Sequence, residues 1–413
     1  MRILHTSDWH IGALLYGQKR YSEHQQFLNW LIQTLKDEKI DALLVAGDIF
    51  DTSTPSYQAQ ALYYDFLFQV SHDTNCRHVV ITSGNHDSPT FLDAPKALLK
   101  VLNVTVVGAA PQAPSEEVVT LKDGKGEVKA LVCAVPFLRD RDLRVSDENE
   151  SFTDKENKLV EGIATHYSRV YDEALSRQKA LGGKVPIIGM GHLFLAGSAV
   201  YARDGAKNAE RDLYVGSLGH VPPGRLPNFD YLALGHLHIP QKVGGNDRIR
   251  YSGAPLAMNF DEIDCPKSVY VLDLQGESIT VETVPVELAC FMQRLQGDWD
   301  AIDEGLKALV EKNEPWRVEV IYDGKEMISD LRERIAAITQ GSKVEVLKIQ
   351  NTFIYNAMMQ HFEKETTLED LKPADVFESV LADSVHSDEQ KTELRALFAE
   401  VLQSIENDEP EKS

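Results

Sequence analysis

Five short apolar runs in the first 240 residues each end in metal-ligating side chains beside a glycine or a polar turn. No other feature constrains the fold as much. The runs lie at residues 3–5, 42–46, 79–81, 185–190 and 231–234. Continuous apolar stretches this short are strand-like, and they suit strands covered on both faces. Between the first two, residues 21–36 carry Phe27, Leu28, Leu31, Ile32 and Leu35 at helical spacing. Pro55 opens a second helical segment that runs to about residue 70. This alternation predicts an α/β sheet with covering helices.

The later segments extend the same plan. Residues 127–134, 268–274 and 278–284 read as further strands of the same domain, and the charged stretch 140–157 as a surface loop. After Pro285 the pattern changes to helix (300–312), strand (317–322), helix (328–338) and strand (343–349), which predicts a small second domain. Two amphipathic helices are expected between 368 and 406. The expected divisions are 1–285, 286–352 and 353–413, reasonable for 413 residues.

Composition narrows the setting. Cys76, Cys133, Cys265 and Cys290 are scattered and form no Cys-x-x-Cys pair, which argues against a zinc ribbon or a disulfide framework and fits a reducing cytosol. The longest apolar run, 185–201, includes His192 and several glycines and is short for a membrane span. The opening residues read as a strand rather than a leader, so a cytoplasmic chain with no membrane partner is expected. The net charge of -22 is unusual for a protein that holds nucleic acid unaided. From Gln360 to Ser413 there are 15 acidic and 5 basic residues, so -10 of it lies in the tail.

The clusters closing the five runs are Asp8-Trp9-His10, Gly47-Asp48, Gly84-Asn85-His86-Asp87, Gly191-His192 and Gly235-His236-Leu237-His238. Ends of strands in α/β sheets are where sites are built. Asp8 and His10 are two apart, as are His236 and His238, a spacing that in extended backbone aims both side chains to one side. Carboxylate, imidazole and amide oxygen without thiolate suit Mn²⁺, Fe²⁺ or Zn²⁺. Seven ligands, Asp8, His10, Asp48, Asn85, His192, His236 and His238, exceed what one ion with an open position needs. They suit two ions sharing a carboxylate, roughly 3.5–4 Å apart, an arrangement for in-line displacement at phosphorus. Taken singly, each motif has a blander reading as a cap, an Asx turn or a packed histidine. Five in succession, each closing a strand, do not.

The ordered set D-x-H, G-D, G-N-H-D, G-H and G-H-x-H resembles the calcineurin-like metallophosphoesterase superfamily. The resemblance implies a four-layer α/β/β/α sandwich with a small α+β capping domain and C-terminal helices. It implies a first metal held by Asp8, His10, Asp48 and His238, and a second by Asp48 (bridging), Asn85, His192 and His236. His86 is then the residue that protonates the leaving oxygen, with Asp87 as its orienting partner. The stretches HTSDWHIG, VAGDIFDTSTPS, SGNHDSPT, VPFLRDRD, YLALGHLH and YSGAPLAMNFDE, with LEDLKPADVF in the tail, are similar to the SbcD family of bacterial nuclease subunits. That resemblance implies a Mn-dependent double-strand exonuclease and single-strand or hairpin endonuclease in DNA repair, recombination and replication, associated with the nucleoid. It implies a homodimer bound to two SbcC coiled-coil ATPase chains through the terminal helices. The sequence has no G-x-x-x-x-G-K-[ST], so ATP use falls to a partner. Archaeal and eukaryotic relatives carry a histidine where this chain has Asp51. Two other classes stay open from the residues alone: a stand-alone cyclic-nucleotide or phosphomonoester phosphoesterase, and a non-enzymatic scaffold on the same fold.

Overall fold

The structure, a computed structural model, describes residues 1–143, 152–183, 185–198, 220–287, 290–326, 328–352, 391, 392, 395 and 398. The expected terminal helices, and with them the expected docking surface, lie almost entirely outside the described residues. The chain divides into two compact units, Met1–Met292 and Gln293–Ser413.

In the first unit the main strands are β1 (Arg2–Thr6), β2 (Ala42–Ala46), β3 (His78–Thr82), β4 (Val104–Val107), β5 (Val118–Lys122), β6 (Val128–Ala134), β7 (Ile187–His192), β8 (Tyr231–Gly235), β9 (Gln241–Lys242), β10 (Ile249–Tyr251), β11 (Ser268–Gln275) and β12 (Ser278–Pro285). They form two six-stranded sheets, ordered β12-β11-β1-β2-β3-β4 and β9-β10-β8-β7-β6-β5. In each sheet the strands carrying the motifs are parallel neighbours: β1 with β2, β2 with β3, and β7 with β8.

The period of two along each strand explains the layers. Ala42, Leu44 and Ala46 of β2 face a core shared with Ala130, Val132 and Ala134 of β6 and Ile188 and Met190 of β7. The intervening Leu43 and Val45 face the opposite way, into a core with Phe27, Leu31 and Leu35 of α1 (Tyr21–Asp37) and Phe66 and Val70 of α2 (Tyr57–Asp73). The outer face of the second sheet packs on α3 (Phe152–Ala180) through Leu159, Ile163, Tyr167, Val170 and Ala174. The four layers are therefore α/β/β/α. Small alanines between the sheets let them approach closely.

Three details differ from the sequence reading. Residues 152–157, expected in a loop, are the first turns of α3, whose apolar stripe starts only at Leu159. Pro55 stands ahead of α2 rather than in it; Ser56 is the cap, its side chain accepting from the Ala59 amide. The short strands β4 and β5 gave no recognised signal.

The second unit carries a three-stranded sheet, β13 (Phe291–Gly297), β14 (Trp316–Tyr322) and β15 (Val344–Asn351) in that order, with β14 and β15 parallel. Helix α4 (Trp299–Glu311) buries Ile302, Leu306 and Leu309, and α5 (Leu331–Thr339) buries Leu331 and Ile335. Val318, Val320 and Tyr322 of β14 complete that core. Among the described residues, no helix is long and apolar enough to cross a membrane.

Candidate metal centre

The turns after β1, β2, β3, β7 and β8 meet at one edge of the sandwich. The chain leaves β1, β2 and β8 sharply: Asp8 (φ 53°), His10 (φ 45°), Asp48 (φ 50°) and His236 (φ 102°) all lie in the left-handed region. Such backbone is uncommon outside glycine and unfavourable by about 1–3 kcal/mol per residue, and it concentrates at functional sites. Backbone pairing holds the turns in place. The Asp8 amide donates to the Gly47 carbonyl, and the His10 amide to the Asp48 carbonyl, both at 3.0 Å. Two glycines are required by space. A Cβ on Gly235 would lie 1.9 Å from the Ala46 carbonyl oxygen, and one on Gly47 (φ 83°) would lie 2.2 Å from His192 Nδ1.

All nine residues expected at the site come together. Asp48 Oδ2 stands between two imidazoles, 3.2 Å from His192 Nε2 and 3.6 Å from His10 Nε2. Its Oδ1 accepts the His86 amide at 2.9 Å. Asp8 Oδ1 accepts the His236 amide at 2.9 Å, and Oδ2 accepts the Ser7 hydroxyl, which also contacts the Ser252 hydroxyl. Donor atoms of Asp8, His10 and His238 lie within 4.8 Å of one another, as do those of Asp8, Asp48 and His192. Asn85 Oδ1 lies 3.0 Å from His192 Nε2 and 3.1 Å from His236 Nδ1. His192 Nδ1 faces the Ala46 carbonyl oxygen at 2.9 Å, an acceptor for the Nδ1 proton that would free Nε2 to bind a cation.

Asp87 plays a different part from the one the resemblance implies. The exposed His86 ring turns Nδ1 to the Asp51 carbonyl oxygen at 2.8 Å. The buried Asp87 carboxylate does not orient that ring. It accepts the amides of Ile49 (3.1 Å), Phe50 (3.0 Å) and Gly84 (2.9 Å), so it ties the turn after β2 to the turn after β3. Adjacent residues in a turn point apart, and Asp87 is turned inward where amides need an acceptor. Burial and the neighbouring Asp48 charge push its carboxyl up to about 6.

The donor set fits divalent cations. Asp8 and Asp48 are fully buried, and among the described residues no Lys or Arg pairs with either. Without a cation, these buried carboxylates are offset only by neighbouring imidazoles that must take up protons. Burial lowers the proton affinity of His192, but the Asp48 and Asp8 carboxylates override it and raise its pKa to about 9. His10 shows the same contest, with burial outweighed by Asp51, Asp48 and Asp8, and rises to about 8. His236 instead falls to about 3, through burial and then the charge at His192. Among the described residues, neither buried ring nitrogen of His10 has a hydrogen-bond partner. The pocket holds anionic oxygen and imidazole nitrogen in need of positive charge.

The sequence reading left several supporting residues without a role. Asp51 Oδ1 faces His10 Nδ1 at 3.4 Å, and Glu262 Oε1 faces His238 Nδ1 at 3.7 Å. Arg139 donates to the Asp87 carbonyl at 2.9 Å. Asp51 stands out in the sequence as the position where other relatives carry a histidine; Glu262 and Arg139 show only as members of the stretches YSGAPLAMNFDE and VPFLRDRD.

Comparisons with known proteins agree with this architecture. Residues 1–240 match the family model described as calcineurin-like phosphoesterase, and residues 291–385 the one described as type 5 capsule protein repressor C-terminal domain. Fold and ligand cluster together define a calcineurin-like phosphoesterase, a class that uses divalent metals. The relatives are more specific. A protein of Escherichia coli (strain K12) named as the SbcD component of the nuclease SbcCD is 34% identical over 409 residues, 98% of each chain. Proteins with the same name from Rhodobacter capsulatus and Bacillus subtilis are 41% and 35% identical, over 67% and 69% of both chains respectively. The chain belongs to this SbcD family of nuclease subunits.

Proposed function

We propose that this chain is the DNA-cutting subunit of an SbcCD-type complex, hydrolysing phosphodiesters with two divalent cations, most suitably Mn²⁺. The observation that carries this reading is Asp48 Oδ2, poised between His10 and His192 at the meeting of five strand ends. Asp8, His10, Asp48 and His238 hold the first cation, and Asp48, Asn85, His192 and His236 the second. When bound, the pair supplies Lewis acidity at phosphorus and lowers the pKa of water.

The chain's own residues supply the rest. With Nδ1 committed to the Asp51 carbonyl, His86 keeps Nε2 for the substrate, where it holds a proton for the leaving 3′ or 5′ oxygen. Asp87 keeps the His86 turn in register with Asp48 through the backbone. Left-handed backbone at Asp8, Asp48 and His236 keeps their side chains converging before any cation arrives.

The partner follows from the relatives' name, which is that of one component of a two-component nuclease. An SbcC-type ATPase, two copies with two of this chain, supplies ATP use and most of the basic DNA-binding surface. A cytoplasmic, nucleoid-associated complex follows from that role. The test is co-purification with coiled-coil ATPase partners, then a Mn²⁺ assay on an end-labelled DNA hairpin. Cleavage that depends on partner, ATP and metal is expected. Intact hairpin beside rapid turnover of cyclic nucleotides would replace this reading with that of a small-molecule phosphodiesterase.

A further inference from the structure

Two buried charged residues outside the ligand set close a ring of contacts around His238. Lys267 Nζ donates to the His238 carbonyl oxygen at 3.0 Å and to Glu262 Oε2 at 2.5 Å. The same Oε2 accepts the Met258 amide at 3.2 Å. The second carboxylate oxygen, Oε1, faces Nδ1 of the His238 ring at 3.7 Å. Glu262 and Lys267 are 6% and 9% exposed, so both charges have left most of their hydration behind.

A buried lysine–glutamate pair is a poor way merely to anchor a loop, because well-packed apolar residues do that equally well or better. The geometry divides the work between the two carboxylate oxygens. Oε2 is neutralised by Lys267, while Oε1 is turned to an imidazole whose other neighbours are Asp8 and His10. Two other histidines of the pocket, His192 and His10, set a pattern that His236, with Nδ1 facing Asn85 Oδ1, does not share. Nδ1 of His192 faces the Ala46 carbonyl oxygen, and Nδ1 of His10 faces the Asp51 carboxylate. In both of these an oxygen outside the ligand set faces Nδ1 and leaves Nε2 for the pocket.

We propose that Glu262 and Lys267 are positioning residues for His238. Glu262 accepts the Nδ1 proton and fixes the tautomer whose Nε2 carries the lone pair; a small rotation of the ring closes the present gap to hydrogen-bond distance. Lys267 holds the His238 backbone and keeps the carboxylate from adding net negative charge to an already acidic pocket. The inference rests on the reading of His238 as a metal ligand.

The test uses the full chain and Mn²⁺ alone, titrated by calorimetry without DNA. Glu262→Gln is expected to bind Mn²⁺ about 10–100-fold more weakly at one of two sites, the usual scale for losing such support. Its melting temperature in EDTA is expected to fall, because Lys267 then keeps a buried charge without its carboxylate. The double variant Glu262→Met with Lys267→Met strands no buried charge, and it should keep its fold and show the same weakening. His238→Gln is the reference. If it binds Mn²⁺ as wild type does, the ligand reading of His238 is wrong. If it binds weakly while both Glu262 variants bind normally, the positioning role is wrong. Should neither Glu262 variant fold, the ¹⁵N spectrum of histidine-labelled, metal-free wild type decides. The resonance pair missing from His238→Gln must report a proton on Nδ1; a proton on Nε2 overturns the proposal.

Discussion

Asp48 and His86 are joined by a single hydrogen bond, from the His86 amide to Asp48 Oδ1, yet their removal should have different consequences. The Asp48 carboxylate faces His10 and His192 and answers the His86 amide, so Asp48→Ala empties the centre of the pocket. That variant should lose tight Mn²⁺ binding together with turnover. His86→Ala removes only the exposed ring and leaves its backbone contact in place. It should bind Mn²⁺ normally while turning over about 10²–10⁴-fold more slowly, the scale of general acid–base assistance. Calorimetry with Mn²⁺ beside single-turnover cleavage separates the two, and equal metal loss in both would refute the assignment. The same pair marks what single residues reveal in a sequence. Asp48 and His86 were legible because each follows a glycine-bearing turn after an apolar strand. The work of Asp87 was not, because its partners are backbone amides 37 and 38 residues away as well as one nearby, and amides leave no mark on composition.

At the level of strands and turns, the close approach of the two sheets makes two predictions. Gly235 ends β8 where any side chain would strike the Ala46 carbonyl, the same oxygen that fixes His192. Gly235→Ala should therefore lower both the melting temperature and Mn²⁺ affinity, and an unchanged affinity would show that the turns after β2 and β8 need not touch. The second prediction concerns His5 of β1, between the sheets, with Nε2 donating to the Leu234 carbonyl (3.2 Å) and Nδ1 facing the Tyr231 hydroxyl (3.0 Å). Burial pushes its pKa down to about 3, partly resisted by the Leu234 carbonyl. Between pH 6.5 and 3 the unfolded chain takes up a proton that the folded chain refuses, so stability falls as pH drops through that window. At pH 5 the loss attributable to His5 is about 2 kcal/mol. His5→Gln, which cannot titrate, should lose less stability than wild type between about pH 7 and 5 in urea titrations of metal-free protein; equal losses would refute the burial argument. Continuous apolar strands and the helical spacing of α1 were readable directly, since burial on both faces dictates them. Which sheet each strand joins was not, because β1 and β7 have the same local pattern and differ only in distant partners. The start of α3 was hidden for a related reason: after Phe152 its first turns are polar, and its buried stripe begins only at Leu159.

For the whole molecule the decisive quantity is charge. The net charge is -22, and removing residues 360–413 with their -10 leaves -12. Bound cations make the pocket itself less negative, but they do not change the sign of the remaining surface. The full chain alone should therefore hold duplex DNA weakly, with detectable retention confined to low ionic strength, where basic patches attract phosphate over more than about 10 Å. A chain ending at residue 359 should retain DNA better than the full chain, since less like charge opposes the phosphates. The same truncation removes the amphipathic stretches proposed to dock the coiled-coil ATPase, so it should lose stimulation by that partner. The two readouts must move in opposite directions. Mobility-shift titrations at about 50 and 150 mM salt measure the first, and cleavage of a labelled hairpin with ATP, Mn²⁺ and partner measures the second. Tight binding by the isolated full chain at the higher salt would remove the need for a basic partner. Undiminished stimulation of the truncated chain would move the docking surface to residues before 360.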